Sequence, residues 1–171
     1  MDRPFEPTRV LCAVDLAEPS AGLIDTATSL AMRFRSHLHL LHVWAPWVPP
    51  GPDVSFIPLG ARIESMATEL KTVLEGAVRL AQRAYADVDG SLVPGRPWEE
   101  IVAFAELNDY DLIIAGTHGR TGIARLVTGS VAERVVRESS VPVLVVPITR
   151  AAVTTSIGSR TSTDTVIGSE S

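Results

Sequence analysis

Apolar positions along the chain alternate between short continuous runs and longer stretches with helical spacing. Val10-Leu11-Cys12-Ala13-Val14 is a continuous run that ends at Asp15. Such a run suits a strand buried on both faces, as in a parallel sheet. Leu23, Ile24, Ala27, Leu30, Ala31 and Phe34 then recur at helical spacing, and Pro19 fits the first turn of that helix. Leu38 to Val43 predicts a second strand. A long helix is expected from about Ala61 to Ala86, with Ile63, Met66, Leu70, Val73, Leu74, Ala77 and Leu80 as its buried stripe. Gly90 to Val93 predicts a short strand. Pro97, Glu99 and Glu100 open a helix that turns Ile101, Val102 and Ala105 inward. Asp111 to Ala115 is the fourth strand, a helix is expected from Ser130 to about Glu138, and Val143 to Val146 is the last strand, between Pro142 and Pro147.

Strands alternating with helices imply an α/β fold, with an open parallel sheet and helices on both faces. In such sheets ligands bind beyond the carboxyl ends of the strands, where the strand order reverses. That rule directs attention to Asp15, to Val43 and Trp44, and to the segment that begins at Gly116. Two stretches depart from the compact pattern. Residues 44–60 contain Pro46, Pro49, Pro50, Pro52 and Pro58 together with Trp44 and Trp47. A connection of that length is either a lid over a ligand or a proline-rich excursion pinned by its tryptophans. The tail, residues 149–171, is expected to be disordered, because 11 of the 24 residues from Ile148 onward are Ser or Thr. The expected domain is therefore residues 1–148.

Composition narrows the picture. The chain has 171 residues, which suits one domain. A net charge of -5 argues against a broad basic surface for nucleic acid. The single cysteine, Cys12, excludes an internal disulfide framework and sits in an apolar run, as a core thiol does. Lys71 is the only lysine and lies in a helical stretch away from any glycine-rich segment. The Gly-Lys-Ser/Thr of a Walker loop is absent, and no Gly-x-Gly-x-x-Gly follows the first strand. Met1 to Pro7 lacks the apolar core of a signal peptide, and no run approaches the ~18 apolar residues of a membrane span. A soluble, cytoplasmic protein is expected.

The informative stretch is Gly116-Thr117-His118-Gly119-Arg120-Thr121-Gly122, followed by Gly129-Ser130. It follows a buried strand and opens a helix. Glycines allow close backbone approach, successive N–H groups can converge on an anion, and the following helix adds its free N–H groups and positive dipole end. Such a loop holds phosphates without a lysine, and His118, Arg120 and Arg125 supplement its charge. Ser130 stands three residues before Glu133, the spacing of a capping box. It either caps the helix or meets a phosphate oxygen.

Gly116-x-x-Gly119, nine residues, then Gly129-Ser130 resembles the G-x2-G-x9-G-(S/T) signature of the ATP-binding branch of the universal stress protein family. The surroundings are similar as well: Asp111-Leu112-Ile113-Ile114 before the loop, Val131-Ala132-Glu133-Arg134-Val135 after it, Val141 to Val146 beyond, Gly95-Arg96-Pro97 earlier, Asp15 after the first strand, and Leu41-His42-Val43 in the second. The similarity covers roughly residues 8–148. It implies a five-stranded parallel sheet of order 3-2-1-4-5, ATP as ligand, with Mg2+ as a possible companion, and usually a homodimer. By position it implies Ala13 and Asp15 beside the ribose and adenine, Val43 on the adenine, Ala115, Gly116, His118 and Gly119 along the ribose and phosphates, Arg120 as added charge, and Gly129, Ser130 and Val131 on the phosphates. The segment after the first strand, Asp15-Leu16-Ala17-Glu18-Pro19-Ser20, departs from the family in lacking a Ser or Thr within two residues of Asp15.

Other candidates are weaker. His37 and His39 share a strand face and His42 has the opposite parity, so the three do not converge on one ion and no metal site is expected. Asp109 and Asp111 are expected as solvated turn residues. Phosphoryl transfer needs metal-binding carboxylates and a positioned nucleophile, and Asp15 is the only obvious carboxylate near the expected pocket. The expectation is a nucleotide-dependent stress-response module with at most slow ATP hydrolysis. The alternative is a dimeric interaction module of the same fold that binds no nucleotide. A metabolic enzyme of the AMP-forming or redox type would need catalytic groups that the sequence does not offer. The last strand, apolar on both faces, would form an open sheet edge, and pairing of a second copy across Val143 to Val146 would satisfy it.

Overall fold

A computed structural model of the chain describes residues 5–16, 21–46, 59–118 and 131–148. In chain order it contains β1 (Arg9–Ala13), α1 (Ala21–Phe34), β2 (His37–Trp44), α2 (Leu59–Gln82), β3 (Val88–Pro94), α3 (Pro97–Leu107), β4 (Leu112–His118), α4 (Val131–Glu138) and β5 (Val143–Ile148). The strands form one sheet in the order β3-β2-β1-β4-β5, and every pairing is parallel. The expected architecture is therefore observed.

Two apolar layers sandwich the sheet. Val10 and Cys12 of β1, Leu38 and Leu40 of β2 and Ile114 of β4 pack against Leu23, Ile24, Ala27 and Ala31 of α1 and Leu74 and Ala81 of α2. On the other face Leu11, Leu41, Val43 and Ile113 pack against Ile101 and Ala105 of α3 and Val135 of α4. The continuous apolar runs have this cause: both faces of β1, β2 and β4 are covered, so successive residues all face a core. Cys12 is fully buried, and burial pushes its thiol up to about 12, which makes it an inert core residue.

Several element ends and faces differ from the sequence reading. β4 continues past Ala115 to His118, because β5 supplies partners as far as Thr117↔Pro147 and His118↔Ile148. Gly116 and His118 are thus strand residues, not loop. Pro147 lies inside β5 and does not end it; a proline with no N–H to donate is accommodated at a sheet edge. Trp44 completes β2 opposite Pro94, and Leu59 and Gly60 belong to α2, so the proline-rich connection is shorter than residues 44–60. The rest of it, residues 47–58, and the tail, residues 149–171, lie outside the described residues.

The largest difference concerns α2. Of its seven expected stripe residues Leu74 is buried, while Met66, Val73 and Leu80 are 43%, 52% and 59% exposed. These three are seven residues apart and lie about 100° round the helix from Leu74. The sheet covers the arc through Leu74 and Ala81 and leaves that flank open. A Cβ at Gly90 of β3 would come within 2.8 Å of Val78 Cγ2 and 2.9 Å of the Leu40 carbonyl oxygen, so this glycine lets α2 lie close against the sheet.

Asp111 is not a freely solvated turn residue. Its Oδ2 accepts hydrogen bonds from Thr8 N at 2.7 Å, Thr8 Oγ1 at 2.8 Å and Arg9 N at 2.9 Å. One carboxylate thus ties the start of β1 to the start of β4. Partial burial pushes its pKa up, but the Thr8 and Arg9 hydrogen bonds and the Arg9 charge outweigh this and hold it below the ordinary carboxylate value. Asp111→Ala is expected to lower stability at pH 7 by about 2 kcal/mol, since hydrogen bonds to a charged acceptor exceed neutral ones. A carboxylate with a depressed folded pKa contributes fully above its unfolded value of about 3.9 and loses that contribution as pH falls through the folded value. Urea titrations of both proteins should show a constant gap from pH 7 to about pH 5 that narrows below about pH 4.

Candidate functional site at the carboxyl ends of the strands

In the order β3-β2-β1-β4-β5 the chain builds outward from β1 to β3, then crosses to β4 on the other side of β1. α1 and α2 cover one face and α3 and α4 the other. The strand order therefore reverses between β1 and β4, and the crevice lies at their carboxyl ends.

Ala13 ends β1, pairs with Leu41 of β2 and with Ala115 of β4, and so lies beside Ala115 on the face covered by α3 and α4. Val43 lies on that face two residues beyond Leu41 and is buried. Two methyl side chains and one valine thus form a small apolar floor at the reversal point. Asp15 is exposed just beyond β1. The chain leading to it is fixed by two hydrogen bonds: Val14 N donates to Leu41 O at 2.9 Å, and His42 Nδ1 donates to Val14 O at 2.8 Å. His42 is buried, so its ring is an internal support for the end of β1. Sequence parity placed His42 on the correct face but gave no hint of its partner, which comes from the neighbouring strand.

Gly116 has a packing role. A Cβ there would run into Ile148 of β5 and come 3.3 Å from Leu23 Cδ2 of α1. The glycine that opens the spaced motif thus seats β5 and α1 against the end of β4. The backbone of His118 closes β4 opposite Ile148. Val131 starts α4 and is 40% exposed. Gly119, Arg120, Arg125, Gly129 and Ser130 lie outside the described residues. The structure therefore brings Ala13, Val43 and Ala115 onto one face, with Asp15 and Gly116 at the adjoining strand ends.

A second cluster lies at the opposite, amino end of the sheet. His39 of β2 is paired in register with Asp89 of β3, and His37 stands two residues earlier on the same face. His37 Nδ1 hydrogen-bonds Asp87 Oδ1 at 2.8 Å, His37 Nε2 is 3.3 Å from Asp89 Oδ1, and His39 Nδ1 hydrogen-bonds the same Asp89 oxygen. Burial lowers the His39 pKa, and this outweighs the raising effect of Asp89. The shared face of His37 and His39 was legible from the spacing. Asp89 was not, because it comes from another strand.

A model of the universal stress protein family matches residues 7–147. The chain belongs to the universal stress protein family. Universal stress protein MJ0531 of Methanocaldococcus jannaschii is 30% identical over 140 residues, covering 81% of each chain. Among solved structures, hypothetical protein MJ0577 aligns with a TM-score of 0.67 and 26% identity over 84% of this chain and 98% of that one. A universal stress protein from Archaeoglobus fulgidus, solved in complex with dAMP, aligns with a TM-score of 0.57 and 23% identity over 81% of this chain and 96% of that one. In this universal stress protein the strand order β3-β2-β1-β4-β5 sets the crevice between β1 and β4. No helix among the described residues is long and apolar enough to cross a membrane.

Proposed function

We propose that this universal stress protein binds ATP in the crevice between the carboxyl ends of β1 and β4 and acts as a nucleotide-dependent regulatory module. The observation that carries the reading is the position of Gly116. The first glycine of the spaced motif sits in the last turn-ward part of β4, beside β1 at the reversal of strand order. The segment that follows, through Gly119 and Gly129 to Ser130, leaves from that point and leads into α4. Its N–H groups and the helix start are suited to phosphates.

The described residues fit the nucleoside end of such a ligand. The floor of Ala13, Ala115 and Val43 would offer aliphatic contact to a flat base, and the exposed Asp15 just beyond β1 would accept from a ribose hydroxyl. The dAMP bound to the family member of the same fold supports a nucleotide as the ligand class. Mg2+ would be held chiefly by the phosphates, since it keeps most of its waters and needs few protein carboxylates. Asp15 alone is a poor basis for fast phosphoryl transfer, so ATP serves as an effector and any turnover is slow. The regulatory output requires that ATP bind two states of the protein unequally.

The experiment is a calorimetric titration of ATP into protein stripped of nucleotide, with and without Mg2+. Saturable binding near one per chain is the expected result. No heat at high micromolar ATP, together with no nucleotide in the unstripped protein, would leave the interaction-module reading in its place. Dimerisation across β5 belongs to the same proposal. Leu144 and Val145 are each 38% exposed on this edge strand, and a second copy would cover them; sedimentation at micromolar concentration reads this directly.

A further inference from the structure

The cluster at the amino end of the sheet has a composition and geometry that the nucleotide reading does not use. We propose that His37, His39 and Asp89 form a binding site for a divalent transition-metal ion of the zinc class. One ligand atom from each of the three residues lies within 4.8 Å of the other two. The set is two imidazole nitrogens and one carboxylate oxygen, which suits zinc and its neighbours better than magnesium or calcium.

The sheet itself preorganises the set. His37 and His39 are two apart on β2, so their rings rise from one face, and parallel register puts Asp89 directly beside His39. Two ligands bound at about 2.0–2.2 Å in a tetrahedral site stand about 3.4 Å apart. His37 Nε2 and Asp89 Oδ1 are already 3.3 Å apart. His39 Nδ1 donates a hydrogen bond to Asp89 Oδ1, and a metal ion between them would replace that proton and separate them.

Asp87 supplies the outer support. His37 Nδ1 donates to Asp87 Oδ1 at 2.8 Å, which leaves the Nε2 lone pair facing Asp89. A carboxylate, an imidazole and a metal in series is the usual way in which a ligating histidine is fixed. The His39 ring is held in place by tilted ring contacts with Phe104 and Tyr110, with ring centroids 5.1 and 5.9 Å away. His39 Nε2 is buried and has no hydrogen-bond partner, and it would carry the ring proton when Nδ1 binds metal. The Arg9 guanidinium, stacked 4.8 Å from the Tyr110 ring, is the nearby positive charge, and the two carboxylates Asp87 and Asp89 offset it. Asp89 is 58% exposed at its side chain, so the ion has an entry path, and water or an external ligand completes its coordination.

This site lies at the opposite end of the strands from the β1–β4 crevice, so the two can be tested separately. The tag-free full chain, treated with chelator and dialysed, is titrated with zinc chloride against a chromophoric indicator. One zinc per chain at low micromolar affinity or tighter is expected. Asp89→Asn, a change at an exposed side chain, should weaken binding at least ~10-fold, and Asp87→Asn should weaken it ~10-fold through loss of the outer support. Imidazole 15N shifts of His37 and His39 should move on zinc addition, while that of His42 should not. Binding no tighter than about millimolar, or equal affinity in Asp89→Asn, overturns the proposal. Circular dichroism confirms that each variant is folded, and ATP affinity should be the same in Asp89→Asn as in the unaltered chain.

Discussion

Ile113→Ala is expected to destabilise the fold by about 3–4 kcal/mol, within the range for truncating a buried branched side chain. Ile113 is fully buried in β4, between Leu11 of β1 and Val143 of β5. It belongs to the layer that joins the sheet to Ile101 and Ala105 of α3 and Val135 of α4. Removing its outer carbons forfeits their transfer free energy and leaves a cavity, and neighbours from four elements cannot all close on it. Urea denaturation should give a lower midpoint with an unchanged slope. Leu80→Ala is the matching control. Leu80 is an equally apolar residue of α2 but is 59% exposed, so its loss should cost no more than about 0.5 kcal/mol. A large effect at Leu80 would mean that something covers that flank of α2 in solution.

The second large effect concerns the proposed nucleotide site. Gly119→Val should weaken ATP binding at least ~100-fold in the calorimetric titration, since a branched side chain blocks close approach of backbone N–H groups to phosphate. Gly119 immediately follows the last residue of β4 in the sequence, and the resemblance to the family signature is what assigns it to the phosphates. The variant's thermal midpoint without nucleotide should stay within a few degrees of the unaltered protein. Unchanged ATP affinity in a folded Gly119→Val protein would mean that the phosphates bind elsewhere. A loss of binding accompanied by unfolding would be resolved by Gly119→Ala, in which a single methyl intrudes and an intermediate affinity is expected.

The sequence by itself determined the element order, the parallel sheet and the family. The continuous apolar runs at β1 and β4 and the largely apolar stretch at β2 suit strands covered on both faces, and the helical stretches between them imply crossover connections. It also marked the candidate positions at the strand ends, because Asp15 and Gly116 are defined by what precedes them in the chain. Parity was legible too: it put His37 and His39 on one face and His42 on the other. Only the tertiary structure decided what meets across strands. The pairing of Asp89 with His39, the hold of Asp111 on Thr8 and Arg9, the support of Val14 by His42 and the seating of Gly116 under Ile148 and Leu23 all join distant positions. Register and packing fix these contacts, and local periodicity carries no information about either. The same reason explains α2. Its apolar pattern runs wider than the arc that the sheet covers, so the pattern named seven inward residues while packing left Met66, Val73 and Leu80 in solvent. A periodic stripe tells which side of a helix turns inward; the neighbour's width decides how much of it is buried.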